Sequence, residues 1–238
     1  MPAIALVAFD LDDTLYPERA FVRSGFRVVS DYLQQEGVVD RPLLADFEAA
    51  FDAGERRNVF DRVLRAAGIE PDAALVRSLV EAYRSHRSRH GFVRPGIRLF
   101  DDADRALGRL AGQGIRLGLV SDGPLAAQEV KVEALGLAAR MDAVILTDTW
   151  GPAFWKPHPR AFVEVARRLA VEPRACFYVA DNPEKDFDGP AAAGWRPSVW
   201  VRRGESTYRD AAPPEKRLLS ATVASLDDLD GVLKGMQT

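Results

Sequence analysis

The chain predicts an α/β fold: a parallel-sheet core with an all-helical segment inserted after the first strand. Three observations carry this. A short apolar run near the start ends abruptly in acids, residues 17–91 show only helical periodicity, and strands and helices alternate from residue 92 onward. At 238 residues the chain is long enough for one sizeable core and a smaller insert.

Residues Ala3 to Phe9 form the first strand, a short apolar run containing β-branched Ile4 and Val7. Four helical faces follow. Phe21, Val22, Phe26, Val29 and Leu33 recur at spacings of three and four, as do Leu43, Leu44, Phe47 and Phe51. Val59, Phe60, Val63, Leu64 and Ala67 make a third face, and Leu75, Leu79, Val80 and Tyr83 a fourth. Gly37, Pro42, Gly54, Gly68 and Pro71 separate them, which predicts a bundle of four helices. Beyond it, helices near 103–112, 124–135, 159–170 and before Gly194 alternate with strands at 115–120, 143–146, 175–180 and 198–201. A last helix is expected from about Leu226 to Leu233, and the Arg-, Glu- and Pro-rich stretch 202–221 reads as a surface loop. The expected organisation is a core of residues 1–16 and 92–238 carrying a helical cap at 17–91.

Composition narrows the partners. The formal net charge of −3 leaves no basic excess, so a nucleic-acid partner is not expected. A single cysteine, Cys176, excludes an internal disulfide and points to a reducing, cytoplasmic setting. The run Ala3–Phe9 is too short and wrongly flanked for a signal peptide, and no run reaches membrane-spanning length, so no membrane partner is expected. The sequence leaves the oligomeric state open. Lysine is scarce, occurring only at 131, 156, 185, 216 and 234.

In open parallel sheets ligands bind beyond the carboxyl ends of the strands. The first strand ends in Asp10-Leu11-Asp12-Asp13-Thr14, the second in Ser121-Asp122-Gly123, and the fourth in Asp181 followed by Asp186. The loop after the third carries Lys156-Pro157. Four polar clusters therefore converge on one sheet edge. Residues two apart in extended chain share a side, so Asp10 and Asp12 repel unless a cation lies between them. Mg²⁺ suits such carboxylate oxygens, and Asp181 supplies a further contact. A carboxylate can attack phosphorus if a metal and a lysine neutralise the site, a role that fits Lys156. Ser121 and the amides near Asp122 and Gly123, at a helix N-terminus, fit phosphate oxygens. The segment Arg84 to His90 is the most basic in the insert. Its Arg84 and Arg87 are candidates for an anionic substrate, as well as for a solvated helix end.

The segment Phe9-Asp10-Leu11-Asp12-Asp13-Thr14-Leu15 resembles the first signature of the haloacid dehalogenase superfamily. Ser121 after Leu119-Val120 resembles the second, Lys156-Pro157 the third, and Asp181 with Asp186 the acidic fourth, all in family order. Ala180 departs from the glycine that relatives often carry there. The resemblance implies a Rossmann-like core, a C1-type helical cap and a Mg²⁺-dependent phosphohydrolase. Asp10 would be the nucleophile, and Asp12 would protonate the leaving group and then activate water. Ser121 and Lys156 would hold the phosphoryl group, with Leu11, Asp122 and Gly123 completing the substrate-binding set. Asp10, the backbone carbonyl of Asp12 and Asp181 would bind Mg²⁺, with Asp186 acting behind them. The presence of Asp12 disfavours a dehalogenase, and the absence of any lysine before Glu129 disfavours a phosphonate-cleaving relative. A phosphomutase and a non-catalytic phosphometabolite-binding or regulatory protein are the alternatives. The substrate class expected is a small phosphorylated metabolite.

Overall fold

The computed structural model describes residues 3–88, 91–204 and 206–236. The chain divides into two compact units, Met1–Glu18 with Arg98–Thr238, and Arg19–Ile97. The sequence places the insert at 17–91, so its C-terminal bound falls six residues short of the second unit's end.

In chain order the elements open with β1 (Leu6–Phe9), then α1 (Glu18–Gln35), α2 (Leu44–Asp52), α3 (Val59–Ala66) and α4 (Ala73–Ser85). A hairpin of β2 (Arg87–Ser88) and β3 (Gly91–Phe92) follows. The rest is α5 (Asp101–Gly112), β4 (Arg116–Ser121), α6 (Leu125–Ala134), β5 (Ala143–Leu146), α7 (Arg160–Leu169) and β6 (Cys176–Ala180). It ends with α8 (Asp188–Ala192), β7 (Ser198–Val201), β8 (Leu219–Val223) and α9 (Leu229–Gly235).

The helical unit has its own core. Phe26, Leu33, Phe47, Phe60, Leu64 and Leu79 are buried together, as the spacing of the four faces requires. Phe26 stacks on Phe47 at 5.4 Å between centroids, and Phe60 meets Phe47 edge-on at 5.7 Å. Helix α4 starts where Asp72 accepts the Leu75 N–H, and it stops where His86 turns left-handed at φ 49°.

The other unit is a six-stranded parallel sheet in the order β5-β4-β1-β6-β7-β8. Strands β1, β6 and β7 are buried along their length, so they read as continuous apolar runs rather than alternating ones. Strand β1 lies between β4 and β6 with Leu6 opposite Arg116 and Cys176, and Phe9 opposite Leu119 and Val179. The Asp10 N–H donates to the Val179 carbonyl, which carries the ladder one residue past Phe9. This register sets Asp10 beside the residues that end the two flanking strands. Among the described residues no helix is long and apolar enough to cross a membrane.

Among the described residues, 202–215 form the mostly exposed loop that composition predicts, apart from buried Arg203 and Ser206, but the expected loop 202–221 ends in ordered structure. Strand β8 begins at Leu219 and pairs with β7 as the sheet edge, where Ser220 faces solvent in alternation with half-buried neighbours. Before it, Arg203 is buried. Its guanidinium pairs with Asp102 at 2.9 Å, donates to the Thr14 carbonyl at 2.9 Å and lies over the Phe100 ring at 3.9 Å. Asp102 also accepts from Ser225 Oγ and the Leu226 N–H. A charged residue reads as surface in a sequence, but here every charge is matched inside. Replacing Arg203 with Met strands a buried carboxylate that keeps only its two neutral donors. We expect a loss of about 3 kcal/mol in unfolding free energy, read from urea denaturation.

Candidate active site

Three acids from two strand ends meet in the core unit. Oxygens of Asp10, Asp181 and Asp186 lie within 4.8 Å of one another, and all three residues are buried. Asp10 follows β1. Asp181 follows β6, and Asp186 lies on the turn after it, where its Oδ2 accepts the Asn182 N–H at 3.0 Å. Lys156 reaches the same point from the loop before α7. Its Nζ is 2.5 Å from Asp10 Oδ1 and 2.7 Å from Asp186 Oδ1, and its side chain is wholly buried. It also donates to the Tyr178 hydroxyl at 3.1 Å.

One ammonium does not neutralise three carboxylates. Burial raises the Asp10 carboxyl to about 7, against the pull of Lys156 and with the push of Asp186. Burial and repulsion from Asp10, Asp186 and Asp13 raise Asp181 well above the ordinary carboxylate range. Burial disfavours the Lys156 charge, yet Asp10 and Asp186 hold it well above the ordinary lysine value. The donor set is hard oxygen, crowded and short of positive charge, which fits a small divalent cation.

Asp181 is fixed from behind. Ser206 Oγ donates to its Oδ2 at 3.0 Å, Thr14 Oγ1 approaches its Oδ1 at 3.5 Å, and Trp200 Nε1 donates to its carbonyl at 2.8 Å. Asp13, at φ 53°, spends its carboxylate on backbone N–H groups of Glu18 and Thr207 and so closes the turn after β1.

Asp12 stands apart from the three clustered acids. Both its oxygens accept from Lys131 Nζ, at 2.7 and 2.8 Å, and Oδ1 also accepts from the Tyr16 hydroxyl. Burial works to raise this carboxyl, but Lys131 and the two hydrogen-bond donors outweigh it and hold it below the ordinary value.

The second strand end is also occupied. Ser121 is buried and its hydroxyl donates to Gln128 Oε1 at 3.0 Å. Asp122 accepts from Thr147 Oγ1 at 2.8 Å, the Lys156 N–H at 3.1 Å and Lys185 Nζ at 3.0 Å. It thus fixes the lysine loop to the end of β4. Burial opposes its charge, but Lys156 and Lys185 keep the carboxyl below the ordinary range. Gly123 sits at φ 117°, and a Cβ there would come within 2.7 Å of Gln128 Nε2, so this turn requires glycine. The Leu11 side chain is fully buried, which leaves only its backbone to meet a ligand.

Arg84 and Arg87 belong to the helical unit. Arg84 lines a cavity of about 190 Å³ there with Arg56, Arg57 and Tyr83, and Arg87 lies on β2. Arg89 and His90 of the same basic segment fall outside the described residues. Sequence reasoning missed Lys131, Lys185, Tyr16, Ser206 and Gln128. The signal for the first two was composition: lysine is rare in this chain, and three of its five positions converge on the strand-end acids.

Comparison with known proteins agrees with this geometry. A family model described as haloacid dehalogenase-like hydrolase matches residues 4–194. A glyceraldehyde 3-phosphate phosphatase from Methanopyrus kandleri is 31% identical over 217 residues, 88% of each chain. A phosphoserine phosphatase from Thermus thermophilus is 32% identical over 170 residues, covering 71% of this chain and 64% of that protein. Among solved structures, a phosphatase of the same superfamily from Thermococcus onnurineus superposes with a TM-score of 0.61 at 23% identity. That match covers 97% of this chain and 98% of the other.

The raised Asp10 value has a sign that can be tested. The unfolded chain loses this proton near 3.8, while the folded chain keeps it to about 7. In EDTA, folding stability should fall as pH rises between those values. Asp10→Asn should flatten the slope without removing it, since Asp181 contributes with the same sign. Urea midpoints at pH 5, 6 and 7 measure this.

Proposed function

The chain belongs to the haloacid dehalogenase-like hydrolases, and on that footing we propose that it is a Mg²⁺-dependent phosphohydrolase acting through an aspartyl-phosphate on Asp10. The observation that carries the reading is the meeting of Asp10, Asp181 and Asp186 around Lys156, with a second carboxylate, Asp12, held nearby but outside the cluster.

Asp10, Asp181 and the backbone carbonyl of Asp12 would hold Mg²⁺, and Asp186 is close enough to act as a further oxygen donor or to steer Lys156. When bound, the cation withdraws charge from the phosphate and offsets repulsion between it and the acids. Lys156 adds positive charge at the nucleophile, and Ser121 with the amides at Asp122 and Gly123 binds phosphoryl oxygens. An Asp10 oxygen forms a bond to phosphorus as the bond to the leaving oxygen breaks. Asp12, a carboxylate beside Lys131 in the free protein, takes a proton from solvent as the anionic ester binds beside it and passes that proton to the leaving oxygen. Asp12, now a carboxylate, takes a proton from water as the water oxygen bonds to phosphorus. The phosphorus–Asp10 bond breaks, which releases orthophosphate and restores Asp10.

The substrate proposed is a small phosphorylated metabolite, and Arg84 and Arg87 of the helical unit are candidates for binding an anionic group. The printed activities of the two relatives make glyceraldehyde 3-phosphate and phosphoserine the first compounds to try. A cytoplasmic setting accords with the lone, buried Cys176. Dehalogenation does not need the proton-transfer acid that Asp12 provides, and it is set aside on that ground.

Purified protein with Mg²⁺ should release phosphate from an aryl phosphate, and EDTA should stop it. Asp10→Asn should lower kcat by roughly 10³-fold, about 4 kcal/mol in barrier. Asp12→Asn should cost about tenfold or more. Turnover untouched by Asp10→Asn would refute the nucleophile. No hydrolysis of any phosphate ester would favour a binding module, and interconversion of sugar phosphates without phosphate release would favour a mutase.

A further inference from the structure

Asp12 is two residues from Asp10, and a carboxylate on so short a tether is readily drawn into a neighbouring cation site. The structure keeps it out. Lys131 Nζ contacts both Asp12 oxygens, at 2.7 and 2.8 Å, and the Tyr16 hydroxyl contacts one of them. Lys131 lies on α6, and its side chain is only 5% exposed. Burying an ammonium costs several kcal/mol unless it is paired, so a lysine in such a place is held there by its partner. The helix behind it is anchored by the same turn that requires Gly123, and its Gln128 accepts the Ser121 hydroxyl. Most basic positions in this chain are arginine, and here the compact point charge of lysine holds both oxygens of one carboxylate.

We propose that Lys131 is the positioning residue for Asp12, separating the proton-transfer carboxylate from the acids that cluster around Lys156. This rests on the phosphohydrolase reading above and adds to it a residue outside the four family signatures. With Lys131 in place, rotation of the Asp12 carboxylate is fixed by two contacts to a rigid helix and one to a ring. Without it, Tyr16 alone remains, and a misplacement of the order of 1 Å in a reacting group costs on the order of a hundredfold.

A buried lysine could also act only as structural support, so the test must separate the two. The values of kcat/KM, which report phosphoryl transfer to Asp10, are compared for wild type, Lys131→Met, Asp12→Asn and the double variant. The substrates are phenyl, 4-nitrophenyl and 2,4-dinitrophenyl phosphate, whose leaving groups need a proton progressively less. Lys131→Met should lose about tenfold or more on phenyl phosphate and much less on the dinitrophenyl ester. Adding it to Asp12→Asn should cost no more than about threefold on any of them. An equal loss across the series, or full multiplication of the two single losses, would overturn the proposal. If Lys131→Met does not fold, Tyr16→Phe removes the other contact and should show the same leaving-group dependence at smaller size. A uniform loss there would overturn it equally. The outcomes separate the two readings. A leaving-group trend in Asp12→Asn with none in Lys131→Met defeats this inference alone. The absence of a trend in Asp12→Asn defeats the proton-transfer role on which it rests.

Discussion

Three carboxylates share one buried ammonium at the ends of adjacent parallel strands, and the rest of the core unit is arranged to make that tolerable. The pairing of β1 between β4 and β6 fixes where Asp10 and Asp181 emerge, and neither can withdraw to solvent. Like charges held this close in a poorly polarisable interior raise one another's proton affinity, as Asp10 and Asp181 display. Lys156 offsets part of the repulsion. What is left over is an affinity for a further positive charge, which is the property a cation-assisted attack on phosphate needs.

The supporting groups do not share this imbalance. Asp122 is matched by Lys185, Thr147 and the Lys156 amide, Asp102 by Arg203, Ser225 and Leu226, and Asp13 by two backbone amides. At these three acids charge is compensated, whereas it is not at the reacting point, nor at Glu18, whose carboxyl burial and the neighbouring Asp12 and Asp13 push up to about 7. Such a division gives a rigid frame around a place of high electrostatic tension, and fixed dipoles of this kind cost no reorganisation during a reaction. Lysine and arginine divide the work: arginine forks onto the acid of Glu164 at the surface, and at Asp102 it splits its donors between the carboxylate and the Thr14 carbonyl, while lysines stand where a single compact charge must reach an acid inside.

Much of this was legible in the sequence because it depends on period and position. Buried parallel strands leave continuous apolar runs, and the acids that end them are conspicuous by contrast. So the five inner and first-edge strands, the four helices of the insert and the meeting of Asp10, Asp181 and Lys156 were all readable. Strand β8 was not, because an edge strand with one wet face, preceded by prolines and charges, resembles a loop. Lys131 and Lys185 left no local pattern. A lysine on a helix or turn reads as solvated, and only the three-dimensional path of α6 and of the turn after β6 brings these two to Asp12 and Asp122. Ser206 escaped notice for the same reason, since its bond to Asp181 spans 25 residues. Asp186 was expected behind the ligands, acting through water or by orienting Lys156, and it lies 2.7 Å from the Lys156 ammonium; spacing along a turn did not reveal that it also folds back beside Asp10.

The central claim is that Asp10 itself becomes phosphorylated. Its most direct test is to quench a turning-over sample in acid, reduce acyl phosphate with borohydride and map the peptides by mass spectrometry. The mechanism predicts homoserine at position 10, formed only when substrate and Mg²⁺ are both present. Steady phosphate release with unmodified Asp10, or conversion at another acid, would contradict it.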